Sequence, residues 1–175
     1  MEELILTSRY RGYQLCAFTL TDVKRDPLEG LNSYVPEVDE ELQAFDPKCV
    51  VRDLQVIAAF MSAVNSFLAG TSRARRLGVE FLLKMSGSTQ IADAIRKIGV
   101  TPSHRNVTIA ILRRGEVPCR ICERVAYQSF SGNVTRIDVL GDRTFVRDLY
   151  GLGGRRCKGD EVSDLVQRIA LSGLA

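Results

Sequence analysis

The feature that most constrains this chain is a block of helical periodicity from Asp53 to Gly99, flanked on both sides by strand-like runs. Over Asp53–Leu68, residues Ile57, Phe60, Met61, Val64, Phe67 and Leu68 recur at helical spacing and predict one apolar face. Gly70 ends that helix, and Ser72 is placed to cap a second, running to about Met85 with Ala74, Leu77, Phe81 and Met85 as its inner stripe. Ser86-Gly87-Ser88 breaks the pattern. A third helix follows, with Ser88 as cap and Ile91, Ala94, Ile95 and Ile98 as its face, closing at Gly99-Val100. Three helices on short turns must bury their stripes against one another or against a sheet.

The flanks supply a sheet. Leu4–Thr7 reads as a short strand. Gln14–Leu20 alternates Leu15, Ala17 and Thr19 with Cys16, Phe18 and Leu20, and Arg11-Gly12 before it suits a hairpin turn. Cys49–Val51, Val107–Leu112 and Val134–Leu140 are further strand candidates. Asp26 to Pro47, with three prolines and an acidic group, reads as loop with one short helix. Pro118 opens a helix reaching about Phe130, Thr144–Leu149 is a helical turn, and Asp160 caps a last helix with the stripe Val162, Leu165, Val166, Ile169 and Ala170. The expectation is one α/β (α+β) domain over residues 1–175, an antiparallel or mixed sheet flanked by helices.

With 45% hydrophobic and 26% charged residues the chain is able to build a core, which excludes a disordered segment. No apolar run approaches the roughly 20 residues of a membrane helix. Met1-Glu2-Glu3-Leu4 lacks the basic-then-apolar pattern of a leader, so a cytoplasmic protein is expected. A net charge of +3 permits a nucleic-acid partner without demanding one, and five cysteines are not a secreted disulfide framework.

No catalytic constellation stands out. His104 is the single histidine, next to Pro102 and Ser103 in a loop, with no nucleophile-elbow pattern to accompany it. Cys119-Arg120-Ile121-Cys122 has the spacing of half a zinc site or of a redox pair, and equally of two cysteines one helical turn apart. Gly151-Leu152-Gly153-Gly154 resembles a phosphate cradle, yet Cys157-Lys158-Gly159 intervenes before the next helix, which favours a surface turn. The richest segment is Arg73 to Gly99. Arg73, Arg75, Arg76 and Lys84 precede Ser86, Gly87, Ser88 and Gln90, where hydroxyls and backbone N–H groups gather around a glycine. An anion-binding surface and a capped helical turn with a solvated basic face both fit that pattern.

The same segment carries a family resemblance. Leu77-Gly78-Val79-Glu80-Phe81-Leu82-Leu83, then Ser86-Gly87-Ser88-Thr89-Gln90-Ile91-Ala92-Asp93-Ala94-Ile95, closing at Gly99-Val100, resembles the kinase-binding (PRPK-binding) subunit of the KEOPS complex, in its archaeal form. The resemblance is carried by residues 53 to 100; beyond Thr101 only the apolar carboxy-terminal helix continues it. It implies an antiparallel sheet with surrounding helices and no enzymatic activity, cofactor or metal. It implies a kinase-like ATPase subunit as partner, a separate catalytic subunit that makes threonylcarbamoyladenosine on tRNA, and a hold on the tRNA 3′ CCA end. The RNA-binding residues would be Arg73, Arg75, Arg76, Lys84, Ser86, Gly87, Ser88 and Gln90. The kinase-like partner would dock on the end of the last helix, at Ile169, Leu171 and Leu174. Two other readings stand beside this one: a protein-interaction subunit without RNA contact, and a redox or zinc protein built on Cys119 and Cys122.

Overall fold

A computed structural model of the chain describes residues 2–152 and 161–171. The fold is α+β, with an open antiparallel sheet and helices. The chain gathers into two compact units, each made of two separated stretches: Met1–Pro47 with Gly99–Val139, and Lys48–Ile98 with Leu140–Ala175. The strands are β1 (Leu6–Tyr10), β2 (Tyr13–Thr21), β3 (Glu40–Phe45), β4 (Val107–Arg114) and β5 (Asn133–Thr135). The helices among the described residues are α1 (Pro27–Ser33), α2 (Asp53–Leu68), α3 (Leu77–Ser86), α4 (Ile91–Ile98), α5 (Cys119–Glu123), α6 (Arg143–Leu149) and α7 (Glu161–Leu171).

The first unit holds the sheet. Its order is β1-β2-β4-β3, and β5 extends the β1 edge by pairing with Thr19–Thr21 of β2, beyond the last β1 partner at Ala17. Every pairing is antiparallel. β2 forms at the centre because its alternation is apolar on both faces, which only a doubly covered strand tolerates. Cys16, Phe18 and Leu20 lie opposite Ile111, Ile109 and Val107 and join Ile121, Val125 and Phe130 in one core. On the other face Leu15, Ala17 and Thr19 lie opposite Leu112, Ala110 and Thr108, all fully buried. The two threonine hydroxyls meet at 2.9 Å, and Thr19 donates to the Ile137 carbonyl at 3.3 Å. Thr19 has one proton to give, so Thr108 is the donor within the pair.

Arg11 and Gly12 both have positive φ, 49° and 80°, which makes the expected hairpin a two-residue turn whose twist matches the strands. Asp26 caps α1, accepting from the Leu28 N–H at 2.8 Å, with Pro27 at the first helical position. Past Glu123 the α5 helix widens into a π-helical segment, Arg124–Phe130, so the helix expected from Pro118 to Phe130 is continuous but changes its pitch.

Four strand expectations change. The strand expected at Leu4–Thr7 runs from Leu6 to Tyr10, because Glu2–Leu4 forms a 3-10 turn. Glu40–Phe45 reads as loop in the sequence, yet it forms β3 because β4 offers it an open edge. Its buried Glu40 is met by the Tyr34 hydroxyl and lies 4.0 Å from the Arg113 guanidinium. Burial, then the hydrogen bond to Glu40, pushes the Tyr34 hydroxyl up to about 12, so it remains a donor. Cys49–Val51 is no strand: the buried Gln55 amide donates to the Cys49 carbonyl at 2.6 Å and accepts from the Val51 N–H at 3.3 Å, satisfying that backbone instead. Of Val134–Leu140 only the start pairs, since the chain turns at Arg136, whose carbonyl accepts from Val139.

The second unit is helical. α2 packs on α3 and α7 through Val56, Ala59, Phe60, Ala63 and Val64. This stripe is rotated from the one expected, leaving Leu68 exposed.

The threonine pair generates a test. Thr19→Val strips the Thr108 hydroxyl of its acceptor and the Ile137 carbonyl of its donor in a dry interior, at a cost of about 1–3 kcal/mol in denaturant unfolding. Thr19→Val with Thr108→Val replaces both hydroxyls by methyls of the same shape and recovers the share due to the orphaned Thr108 hydroxyl, while the Ile137 carbonyl still lacks its donor; equal loss in single and double variants refutes the pairing.

Candidate functional site

Glu80 organises the second unit's most cationic segment. It lies in the first turn of α3 and is 1% exposed. Its Oε1 meets the Lys84 ammonium, one turn on, at 3.3 Å. Its Oε2 accepts from the backbone N–H groups of Arg73 and Ala74 at 2.9 and 3.1 Å. A carboxylate in this position needs several donors, and the chain supplies them by folding Thr71–Arg76 back along the helix. α3 therefore begins at Leu77, not at Ser72 as its spacing suggested. Arg73 and Arg75 sit in the loop before the helix, clear of its first turn, while Arg76 is the N-cap residue. Ala74 turns inward against Leu83 and Ala94 and pins the loop. Arg73, Arg75 and Arg76 are exposed on either side of it.

α3 ends in a Schellman motif. Gly87, at φ 61°, donates to the Lys84 carbonyl at 3.3 Å, and Ser88 N–H reaches the Leu83 carbonyl at 3.1 Å. A Cβ at Gly87 would lie 3.3 Å from the Tyr150 ring, so both backbone and neighbour specify glycine. Tyr150 is itself anchored from its hydroxyl to the Met85 carbonyl, and burial raises the pKa of that hydroxyl well above its ordinary value.

This geometry divides the eight residues expected to bind RNA. Lys84 and Ser86 are interior: Lys84 is 2% exposed and committed to Glu80, and the Ser86 hydroxyl donates to the Leu83 carbonyl at 3.1 Å. Ser88 is also buried, its hydroxyl accepting from Lys97 at 3.1 Å. Arg73, Arg75, Arg76, Gly87 and Gln90 remain at the surface. The anion-binding surface expected of these residues keeps only the five exposed ones. The arginine loop is tied to α3 at Glu80, and Gly87 lies about 10 Å further along the axis at 1.5 Å per residue. The arrangement suits an extended anionic strand better than a single phosphate.

Two features escaped the sequence. Exposed Lys97, in the last turn of α4, returns to the Ser88 connection. Ile91 and Ile95, expected inside, are 46% and 57% exposed, while Ala94 and Ile98 are buried. The strong amphipathic period of α4 was legible, but only the packing of Ala94 settles which of its apolar residues face inward.

The other candidates resolve individually. In the first unit Thr101 N–H donates to His104 Nδ1 at 3.0 Å, and His104 Nε2 lies 3.5 Å from Asp46 Oδ2. His104 thus fastens a loop. Cys122 is buried, and its thiol hydrogen-bonds that of Cys16; this contact, then burial, raises its pKa far above the ordinary thiol value. Among the described residues no three metal-ligating side chains converge, and no helix is long and apolar enough to cross a membrane. The Gly151–Gly154 turn lies outside the described residues from Gly153 onward, as does Leu174. Of the expected docking residues, Ile169 is fully buried and so belongs to the unit's own core; nothing describes the Leu171 side chain.

A family model described as kinase binding protein CGI-121 matches residues 21–175. The EKC/KEOPS complex subunit CGI121 of Gibberella zeae is 24% identical over 145 residues, 77% of this chain and 74% of that protein. The EKC/KEOPS complex subunit cgi121 of Aspergillus fumigatus is 27% identical over 88 residues, 50% of this chain and 47% of that one.

The Glu80 arrangement predicts an asymmetry between variants. Glu80→Ala leaves Lys84 and two backbone N–H groups buried without an acceptor, and unfolding free energy falls by about 3–5 kcal/mol. Glu80→Gln combined with Lys84→Met keeps an acceptor oxygen for Arg73 and Ala74 and removes both charges, so it unfolds close to wild type. Chemical denaturation of the two variants checks this.

Proposed function

Because the chain belongs to the kinase-binding protein CGI-121 family, we propose that it is the non-catalytic KEOPS subunit that binds and regulates the complex's kinase-like ATPase and holds the 3′ CCA end of the tRNA. The match over residues 21–175 carries this reading, and the names of the Gibberella and Aspergillus relatives support the assembly. In it the chain acts in the cytoplasm, and threonylcarbamoyl transfer to tRNA belongs to a separate catalytic subunit. This chain's contribution is to position substrate and partner.

The second unit supports the RNA part of the proposal. An unpaired strand end is held by phosphate contacts and by stacking on flat apolar or aromatic surface. Arg73, Arg75, Arg76 and Lys97 offer the first. The exposed Ile91–Ile95 ridge beside Gln90 offers apolar surface for ring faces. For the kinase-like partner, the proposed contact narrows to the end of α7. Ile169 and Leu165 are occupied internally, leaving Leu171 and Leu174 as the residues to test.

Pull-down of the kinase-like subunit, with its ATPase rate as second readout, tests the partner. Deleting Leu171 to Ala175 is expected to reduce capture and stimulation while the melting temperature stays near wild type; unchanged capture and stimulation dismiss this docking site. For RNA, Arg75→Ala and Lys97→Ala are each expected to weaken tRNA binding roughly fivefold, equivalent to about 1 kcal/mol. Removing the terminal CCA is expected to abolish the difference between variants and wild type. Equal affinity for intact and trimmed tRNA refutes end recognition and leaves a protein-interaction subunit.

A further inference from the structure

The first unit carries a second cationic and aromatic surface, which the reading above does not use. At the β1–β2 turn, Tyr10 lies directly opposite Tyr13, and Tyr13 directly opposite Arg114. Residues opposite one another in an antiparallel ladder share a face, so this end of the sheet presents a row of two tyrosines and an arginine across three strands. Both rings are partly exposed, and Arg11 and Arg114 are exposed. The Arg11 guanidinium lies 5.5 Å from the centroid of the Tyr10 ring.

The two tyrosines of the row, with Arg11, border a concavity of about 290 Å³. Its floor is backbone. Gly115 N–H donates to the Gly12 carbonyl at 2.8 Å, tying the β1–β2 turn to the residue that follows β4. Both glycines have positive φ, 80° and 87°, and a Cβ on either would meet nothing within 4 Å, so both face open space. Arg9 and Glu116 stand at the rim as an ion pair at 2.8 Å, with 69% and 75% of their side chains exposed. A pair this exposed contributes little and yields readily to a stronger anion. Arg113 is not available: it points to the neighbouring row, at 3.0 Å from Glu37.

We propose that this hairpin end is a nucleic-acid contact that takes an unpaired nucleotide of an RNA strand. Arg11 and Arg114, with Arg9 at the rim in the neighbouring row, provide for a phosphate, and the tyrosine pair provides for a base. The volume is at the small end of ligand sites, which suits one nucleotide and excludes a folded element. An acidic peptide would use the arginines and leave the rings idle. The inference does not rest on recognition of the tRNA end, and it concerns different residues from those of the arginine loop and α4.

The probe is hexaadenylate RNA, titrated against the full chain by fluorescence anisotropy across a salt series. Arg11→Asn keeps a residue that accepts the left-handed backbone, and Arg114→Gln keeps length. Together they are expected to lower affinity about tenfold at low salt and to flatten the slope of log K against log salt by about 1.4, for two contacts at about 0.7 each. Tyr10→Leu and Tyr13→Leu remove the π-faces and keep apolar bulk. Each is expected to lower affinity about fivefold with the slope unchanged, a split that simple loss of structure does not produce. Melting temperatures confirm folding, and Tyr10→Leu, on the edge strand, serves if Tyr13→Leu is destabilised. Unaltered affinity in the arginine double variant overturns the proposal. So does competition by polyglutamate that survives both tyrosine variants, which marks a general anion surface. If hexaadenylate binding is lost in Arg75→Ala and kept in Arg11→Asn/Arg114→Gln, the hairpin is not a contact and the α3–α4 reading stands without it.

Discussion

A carboxylate sealed from water has to be met by donors wherever the chain can bring them, and Glu80 imposes that condition on the second unit. Lys84 supplies a charge from the next turn of the same helix, a contact that costs no long-range ordering. The remaining oxygen needs N–H groups from elsewhere. The loop before α3 provides two, and in doing so it gives up helical geometry. The start of α3, the inward turn of Ala74 and the outward display of the arginines all follow from this single requirement. Burying such a pair is seldom the cheapest way to stabilise a protein. What it supplies here is a fixed loop backbone beneath exposed cationic side chains.

The sheet of the first unit shows the same economy with neutral groups. Thr19 and Thr108 face each other in a fully buried row, and they are tolerated because their hydroxyls satisfy one another and the Ile137 carbonyl. At the β3 edge, where Glu40 is buried, a tyrosine and an arginine gather around it. Each unit thus carries a buried glutamate, and in each the partners reach in from an adjoining loop or strand. Both arrangements hold an irregular segment next to a regular one.

Among the described residues, the shifted groups are held in one protonation state by their surroundings. The histidine fastens a loop, the Cys122 thiol is held protonated by its neighbour Cys16 and by burial, and both shifted tyrosines are kept neutral. Groups tuned in these directions serve packing and hydrogen bonding. Exposed cationic and apolar surface lies on the arginine loop, on α4 and at the β1–β2 turn. That distribution is in keeping with a family defined by binding a kinase.

The sequence by itself determined the elements whose signal is local. α2, β2 and β4 announce themselves by apolar period, the β1–β2 turn by Arg11-Gly12, and the end of α3 by Gly87, because each depends on residues within one or two turns of itself. It also exposed the Arg73–Gly99 segment and, through the resemblance carried there, the family. The tertiary structure decided what depends on distant partners. β3 is a strand because β4 leaves it an edge, although Glu40-Glu41 reads as loop. Lys84 is interior because Glu80 is buried beside it, although a lysine following three arginines reads as part of a basic surface. Ile91 and Ile95 are outside because Ala94 is the residue small enough to meet Leu83 and Ala74. Period fixes which residues share a face; only packing decides which face is turned inward, and only the pairing of buried charges decides which cations a ligand can reach.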